Sequence, residues 1–148
     1  MPIEFPIVDL LSKQSSYEWL LAHFHPKGLV CPRCGAGLED ARLFRTRTVT
    51  EVEDYRCRQC DKTYNVFSST VFEGRRLKPE QAVMLVRGIV KGEQAQILAN
   101  EVGVCRQTVQ ALRTEIQANA QLLQPNPPLL TDEETETDEM YQNAGEKK

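Results

Sequence analysis

The chain has 148 residues, of which 41% are hydrophobic and 26% are charged, as in a soluble globular protein with one domain or two small ones. Its longest apolar runs cover only a few residues, and its first residues lack the basic and apolar parts of a signal peptide. We therefore expect no membrane partner and a cytoplasmic, reducing environment. In such an environment paired cysteines are more often metal ligands than disulfides.

The net charge of −3 hides a segregation of charge along the chain. Residues 27–91 carry 13 Lys and Arg against 8 Asp and Glu, whereas residues 129–148 carry 2 Lys against 7 acids. A basic middle with an acidic tail fits a body that binds a polyanion. An ordinary solvated surface explains the same charges equally well.

The N-terminal half predicts one helix and then three short strands. Residues 15–25 place apolar side chains at helical spacing after a serine cap, and Pro26 ends this helix. Three later segments carry Thr, Val, Tyr and Phe in partial alternation, which predicts a hairpin and a third strand. These segments are residues 43–49, 52–56 and 63–67.

The C-terminal half predicts a helical region. Pro79 suits the first turn of a helix, and Gly92 and Gly103 divide this region into three helices. The predicted helices are residues 79–90, 93–101 and 105–123. Prolines from residue 125 onwards form a linker, and the acidic stretch beyond them has the composition of a disordered tail.

Four of the five cysteines form two C-x2-C pairs, Cys31 with Cys34 and Cys57 with Cys60, which are 22 residues apart. Each pair lets two thiolates converge from one tight turn on a tetrahedral zinc ion, and the hairpin between the pairs brings them together. Four thiolates leave no open coordination position, so we predict a structural zinc ribbon that depends on its ion to fold. The alternative is a redox C-x2-C motif, which needs one pair and usually lies in a βαβ unit.

Three other residues are weaker candidates for the metal. His23 and His25 could be ligands, but four thiolates already saturate the ion, so we expect both to pack at the end of the first helix. Cys105 lies far from the pairs, and we expect it to be a small residue at a helix start.

Residues 92–117 carry the pattern of a helix-turn-helix. Ala99 is a small residue where two helices would cross, and Gly103 can adopt the turn conformation. Apolar positions at helical spacing would hold the two helices together, although the same spacing is typical of any three-helix bundle. The outward residues of the second helix are the predicted base and phosphate contacts: Arg106, Gln107, Thr108, Gln110 and Arg113.

Arginines outside this helix predict further phosphate contacts. They fall in the hairpin and in the segment just before the helical region. They are Arg42, Arg45, Arg47, Arg56, Arg58, Arg75 and Arg76.

These parts, in this order, resemble the N-terminal region of bacterial insertion-sequence transposases that begin with a zinc ribbon (the ISXO-type family). The resemblance covers residues 17 to about 123. Besides the helix-turn-helix, its landmarks are residues 17–20 (YEWL), Pro26 and Gly28 before CPRCG at 31–35, YRCRQC at 55–60, Tyr64 with Val66, and STVFE at 69–73.

The resemblance implies that an RNase-H-like catalytic domain comes next, in which acidic residues hold two Mg²⁺ ions. Asp138 stands in register with the first of these metal ligands, although Thr135 and Thr137 replace hydrophobic residues of the family pattern. The sequence ends seven residues after Tyr141, so we expect residues 125–148 to be a linker and a truncated start of that domain. A chain of this kind would hold DNA but not cut it, and Mg²⁺ is expected only for a full-length family member.

The sequence therefore predicts an α+β protein with a helical lead-in (residues 1–28), a zinc ribbon (29–73) and a helix-turn-helix (77–124) before the tail. Three functions remain open. The first is the DNA-binding region of a transposase, which recognises the terminal inverted repeats of its element, with a homodimer as a further possibility. The second is a transcription regulator built from the same two modules. The third is an adaptor whose ribbon binds another protein.

Overall fold

The computed structural model describes residues 11–123, which form an α+β fold of four α-helices and a three-stranded antiparallel sheet. The predicted α+β class is confirmed for this part of the chain. The elements are α1 (Lys13–Phe24), β1 (Ala41–Thr46), β2 (Glu53–Cys57), β3 (Thr63–Tyr64), α2 (Pro79–Val90), α3 (Ala95–Val102) and α4 (Arg106–Leu123). Between residues 11 and 123, no helix combines the length and apolarity of a membrane span. The predicted tail and Asp138 lie outside the described residues.

Helix α1 begins two residues before the predicted start, because Ser12 rather than Ser15 caps it. The Ser12 side chain accepts a hydrogen bond from the backbone N–H of Ser15 at 3.1 Å. Such a cap satisfies one of the free N–H groups at a helix start. The predicted range of α2 is confirmed, with Pro79 in its first turn and the Gln81 side chain accepting from the Lys78 N–H at 2.9 Å.

The sheet has the strand order β1–β2–β3, with an irregularity in the pairing between Leu43 and Arg45. Strand β1 ends at Thr46, three residues earlier than the predicted strand. The reason is a turn in which the Arg47 N–H donates to the Val52 carbonyl and the Glu51 N–H donates back to the Arg47 carbonyl, each at 2.9 Å.

Strand β3 ends at Tyr64 instead of reaching residue 67. The side-chain oxygen of Asn65 accepts from the backbone N–H of Phe67 at 2.9 Å, and the Ser68 hydroxyl accepts from the Asn65 N–H at 2.9 Å. Local bonds of this kind compete with strand pairing, so the chain turns toward the helices at this point.

Fifteen buried apolar side chains form one large cluster, which we call the helical core. Nine of them come from α2, α3 and α4. The others are Leu20 of α1, Val52 of the hairpin turn, and Val66, Phe67, Phe72 and Leu77 of the segment that leads to α2. A second cluster lies in residues 29–64, which we call the cysteine region, and its buried members are Leu29, Cys31, Cys57 and Tyr64.

Helices α3 and α4 are joined by three residues, the first of which is Gly103. Its φ of 78° lies in the left-handed region, which a glycine adopts without steric cost. The backbone N–H groups of both Gly103 and Val104 donate to the carbonyl of Ala99, at 2.9 and 3.0 Å. This turn connects α3 to α4, and the buried Val109 and Leu112 join α4 to the helical core.

Candidate metal centre and basic surface

The two C-x2-C pairs fold into turns of matching geometry. In the first turn, the Cys31 carbonyl accepts from the Gly35 N–H and the Cys31 N–H donates to the Ala36 carbonyl, each at 2.9 Å. In the second, Cys57 makes the equivalent bonds to Asp61 (3.1 Å) and Lys62 (2.9 Å). The residue after the second cysteine of each pair has a positive φ, 75° at Gly35 and 64° at Asp61.

The sheet brings these turns together, because Ala41 at the start of β1 pairs with Cys57 at the end of β2. The four sulfur atoms all lie within 4.8 Å of one another. The shortest separations cross between the turns, 3.4 Å from Cys31 to Cys60 and 3.5 Å from Cys34 to Cys57. Four sulfurs bound at 2.3 Å to a tetrahedral ion would stand about 3.8 Å apart, so the arrangement fits one metal ion.

The electrostatics of the sulfurs also call for a cation. Burial raises the pKa of the Cys31 thiol, but backbone hydrogen bonds to its sulfur outweigh burial and lower the pKa to about 6. At Cys34 the Ala36 N–H lowers the pKa, whereas burial and the neighbouring sulfurs together raise it to about 12. The neighbouring sulfurs thus favour the thiolate of Cys31 and oppose that of Cys34. A divalent cation between them would favour the thiolate form of all four.

The structure places both histidines away from the sulfurs, at the end of α1. The His23 ring stacks on Trp19 with centroids 4.1 Å apart. The Nε2 atom of His25 lies 2.7 Å from the Val66 carbonyl oxygen, which ties the end of α1 to the segment after β3. Cys105 is exposed at the start of α4, with its sulfur 3.0 Å from the Thr108 hydroxyl.

The first two turns of α4 present polar residues to solvent. Arg106, Gln107 and Gln110 are exposed, whereas Val109 lies on the opposite, buried face. Arg113 is partly buried, and its guanidinium donates to the backbone carbonyl of Glu93. Of the predicted DNA contacts on α4, Arg113 is therefore held against the protein.

Arg75 and Arg76 differ in their surroundings. The guanidinium of Arg75 forms an ion pair with Glu115 of α4 at 2.7 Å and donates to the Val71 carbonyl at 3.2 Å. Arg76 is exposed. It lines a depression at the start of α4 together with Cys105 and Thr108.

Arg45 and Arg47 both bind Asp54, a residue that the sequence did not single out. Asp54 of β2 is fully buried, and its carboxylate accepts from Arg45 Nε at 2.8 Å and from Arg47 Nε at 3.0 Å. The side-chain amide of Asn65 donates to the same carboxylate at 2.9 Å. Burial by itself would raise the pKa of this carboxyl, but the hydrogen bonds from Asn65 and the two arginines hold it below its usual range.

The predicted DNA residues do not form one surface, since Arg42 and Arg58 lie beside Cys57 at the cysteine end of the hairpin. The cysteine pairs meet at one end of the hairpin, and Arg45, Arg47 and Arg76 lie toward its other end, where all three line one cleft. A matching sequence signal for Asp54 exists only in hindsight: it is an acid inside a strand, paired with Arg45 of the facing strand. No protein-family model, curated protein or solved structure matches the chain.

Proposed function

We propose that the chain is the DNA-binding module of a transposase, in which a structural zinc ion holds the cysteine region and α4 reads duplex DNA. Zinc is the ion most often found in closed structural sites of four thiolates, and iron is the other ion that such sites commonly hold. The set has no open position, so its role is to fold a zinc ribbon and not to activate water. A full-length member of the resembled family would add the Mg²⁺-dependent chemistry.

The observation that carries the proposal is the exposed start of α4. Its first turns present Arg106, Gln107 and Gln110 while the opposite face is locked into the helical core. Arginine and glutamine make bidentate hydrogen bonds to guanine and adenine edges in the major groove, which admits one α-helix. The short left-handed turn at Gly103 between α3 and α4 supports the interpretation as a helix-turn-helix.

Assignment to a transposase rests on the ordered landmarks of the sequence resemblance. A transcription regulator would use the same two modules, and the two functions differ in where the DNA site occurs. Binding sites that flank the gene as inverted repeats favour a transposase. Binding sites in promoters of other genes favour a regulator.

The adaptor function has one specific observation in its favour, the exposed apolar side chains of the hairpin. Val49 at its turn is 75% exposed, and Leu43 and Phe44 of β1 are about half exposed. However, the guanidinium groups of Arg45 and Arg56 lie over the Phe44 ring, 5.7 and 5.6 Å from its centroid. This cationic cover suits contact with a polyanion better than contact with an apolar protein surface.

The test uses pairs of glutamines on the same helix. A duplex site is first selected from a random-sequence pool with the zinc-loaded protein, and affinities are then measured by fluorescence anisotropy. We expect Gln107→Ala with Gln110→Ala to weaken binding to the selected site at least tenfold, since each bidentate base contact contributes about 1–3 kcal/mol. The matched control replaces Gln117 and Gln121, which are exposed farther along α4.

The control pair should change affinity by less than twofold. Equal affinities for both pairs would refute the assignment of α4 as the reading helix. Absence of salt-dependent binding to any duplex would refute the DNA-binding function and leave the adaptor.

A further inference from the structure

A cleft at the turn end of the hairpin is lined by three arginines and three threonines. Val49 completes its lining. We call it the arginine cleft, and its members are Arg45, Thr46, Arg47, Thr48, Val49, Thr50 and Arg76. Its volume is about 420 Å³, and it adjoins a second cavity of about 320 Å³ with which it shares Arg47, Thr50 and Arg76. The arginine cleft is thus large enough for a phosphate group and its surrounding water.

Asp54 fixes two of the three cations. Its carboxylate, buried beneath them, binds Arg45 and Arg47 through their Nε atoms, which leaves the Nη atoms of both guanidinium groups free of this carboxylate. Arginine heads held in this way lose less conformational freedom when they bind an anion than mobile surface arginines do. Three guanidinium groups against one carboxylate leave an excess of positive charge at the cleft.

The Thr50 hydroxyl lacks a hydrogen-bond partner, and this observation is independent of the arginines. Only 5% of this residue is exposed, and its hydroxyl is buried without a hydrogen-bond partner in the described part of the chain. Leaving such a group unpaired is costly, so structures usually pair it. Because Thr50 lines the arginine cleft, an acceptor bound there could take its hydrogen bond.

We propose that the arginine cleft binds a backbone phosphate of duplex DNA, with Arg45, Arg47, Arg76 and the Thr50 hydroxyl as contacts. Asp54 is a positioning residue that acts through the two arginines. Arg76 also lines the depression beside Cys105 and Thr108, so the phosphate lies close to the reading end of α4. This inference rests on the proposed DNA-binding function and assigns the hairpin a defined part in it.

The first test measures duplex affinity against salt concentration for Arg76→Ala. Loss of one phosphate contact should weaken binding about 3- to 10-fold on every sequence and lower the slope of log K against log salt by about 0.9. Arg87→Ala is the matched control, because Arg87 is also an exposed arginine, lies on α2 and is no member of the cleft. Equal affinities and slopes for the two variants would overturn the proposal.

The second test concerns the hydroxyl. Thr50→Val keeps the side-chain shape but removes the donor, and we expect it to weaken DNA binding severalfold. Thr50→Ser keeps the donor and should retain most of the affinity. Equal binding by both variants, with zinc content and melting temperature unchanged, would refute the role of Thr50.

A third measurement tests the arginine cleft independently of the proposed DNA binding. Inorganic phosphate is titrated into ¹⁵N-labelled wild-type protein and Arg76→Ala, with chloride at the same ionic strength as reference. Saturable shifts of the amide signals of residues 45–50 in wild type alone support the cleft, even if no duplex binds and the DNA-binding function fails. Tight DNA binding with no response of these signals to phosphate or to duplex overturns the cleft and leaves the α4 assignment standing.

Discussion

The cysteine region buries four side chains in its cluster, two of which are cysteines, whereas the helical core buries fifteen apolar side chains. Full burial of a Leu or Val side chain stabilises a fold by about 1.5–3 kcal/mol, and ordering one residue costs about 1–2 kcal/mol in backbone entropy. The free energy gained by burying Leu29 and Tyr64 therefore offsets the backbone entropy lost on ordering only a few residues. For this reason we expect the cysteine region to need a bound metal ion to fold, since a structural zinc site contributes about 10–16 kcal/mol.

The hairpin connects the two regions. The paired ends of β1 and β2 lie beside the sulfurs, where Ala41 faces Cys57, while Val52 at the turn belongs to the helical core. Each end of the hairpin is thus anchored by a different source of stability. Asp54 and its two arginines lie toward the end that the helical core holds, so metal loss should disturb the cysteine turns more than the arginine cleft.

Removal of the metal is the change with the largest expected effect. Cys57→Ser with Cys60→Ser leaves two thiolates, too few to hold a structural zinc ion, so we expect zinc content to fall from one ion per chain to none. The ends of β1 and β2 beside the sulfurs should lose amide protection, since we propose that the ion holds them, while the helical core keeps its helical circular dichroism. Elemental analysis and hydrogen exchange measure the two effects.

Cys105→Ser is the matched control, because it removes an exposed cysteine that lies outside the sulfur cluster. This variant should keep its zinc and its strands. If the double variant, or wild-type protein in a strong chelator, retained protected strands, the metal would not be what folds the cysteine region.

A cavity in the helical core should have the next largest effect. Leu85 is fully buried in α2, and Leu85→Ala should lower the free energy of unfolding of the helices by about 2–5 kcal/mol. Zinc should remain bound at one ion per chain, since the sulfur cluster does not include α2. Denaturant unfolding followed by helical circular dichroism measures the first quantity, and elemental analysis measures the second.

Leu122→Ala is the control for the free energy of unfolding. It is the same substitution at a surface site, because Leu122 of α4 is 84% exposed. Its effect on stability should stay within about 0.5 kcal/mol. Zinc release from the Leu85 variant at the same denaturant concentration as helix unfolding would mean that the two regions unfold as one unit.

The sequence was informative where the signal is local. The spacing of the cysteine pairs predicted the sulfur cluster, and Pro79 with the apolar periodicity after it predicted the range of α2. Both signals arise from neighbouring residues, which share one turn or one helix face. The zinc identity, the DNA contacts and the family remain predictions.

The features that the sequence did not reveal depend on how distant segments meet. Asp54 binds Arg45 and Arg47 only in the observed register, which the irregularity after Leu43 sets, and strand register is not visible in single-residue propensities. Gly88 is a second feature that depends on how distant segments meet. A Cβ atom at this position would collide with the Leu98 side chain, because α2 and α3 approach closely there.

Two glycines, one in the cysteine region and one between helices of the helical core, give the prediction with the smallest expected effect. Gly35 in the first cysteine turn and Gly103 between α3 and α4 have φ values of 75° and 78°, and nothing lies within 4 Å of a Cβ atom added at either. Alanine at each position therefore costs only the left-handed conformation, about 1–2 kcal/mol. Gly35→Ala should weaken zinc affinity about 5- to 30-fold and leave helix unfolding unchanged.

Gly103→Ala should do the reverse, lowering the unfolding free energy of the helices by about 1–2 kcal/mol while zinc affinity, measured by competition with a chelator, changes less than twofold. Asp61 indicates that the Gly35 variant can still fold, because it occupies the equivalent position of the second turn with a φ of 64°. If either alanine altered both quantities, the strain would be shared between the regions. The hairpin would then transmit stability from the metal to the helices, and the two sources of stability would be coupled.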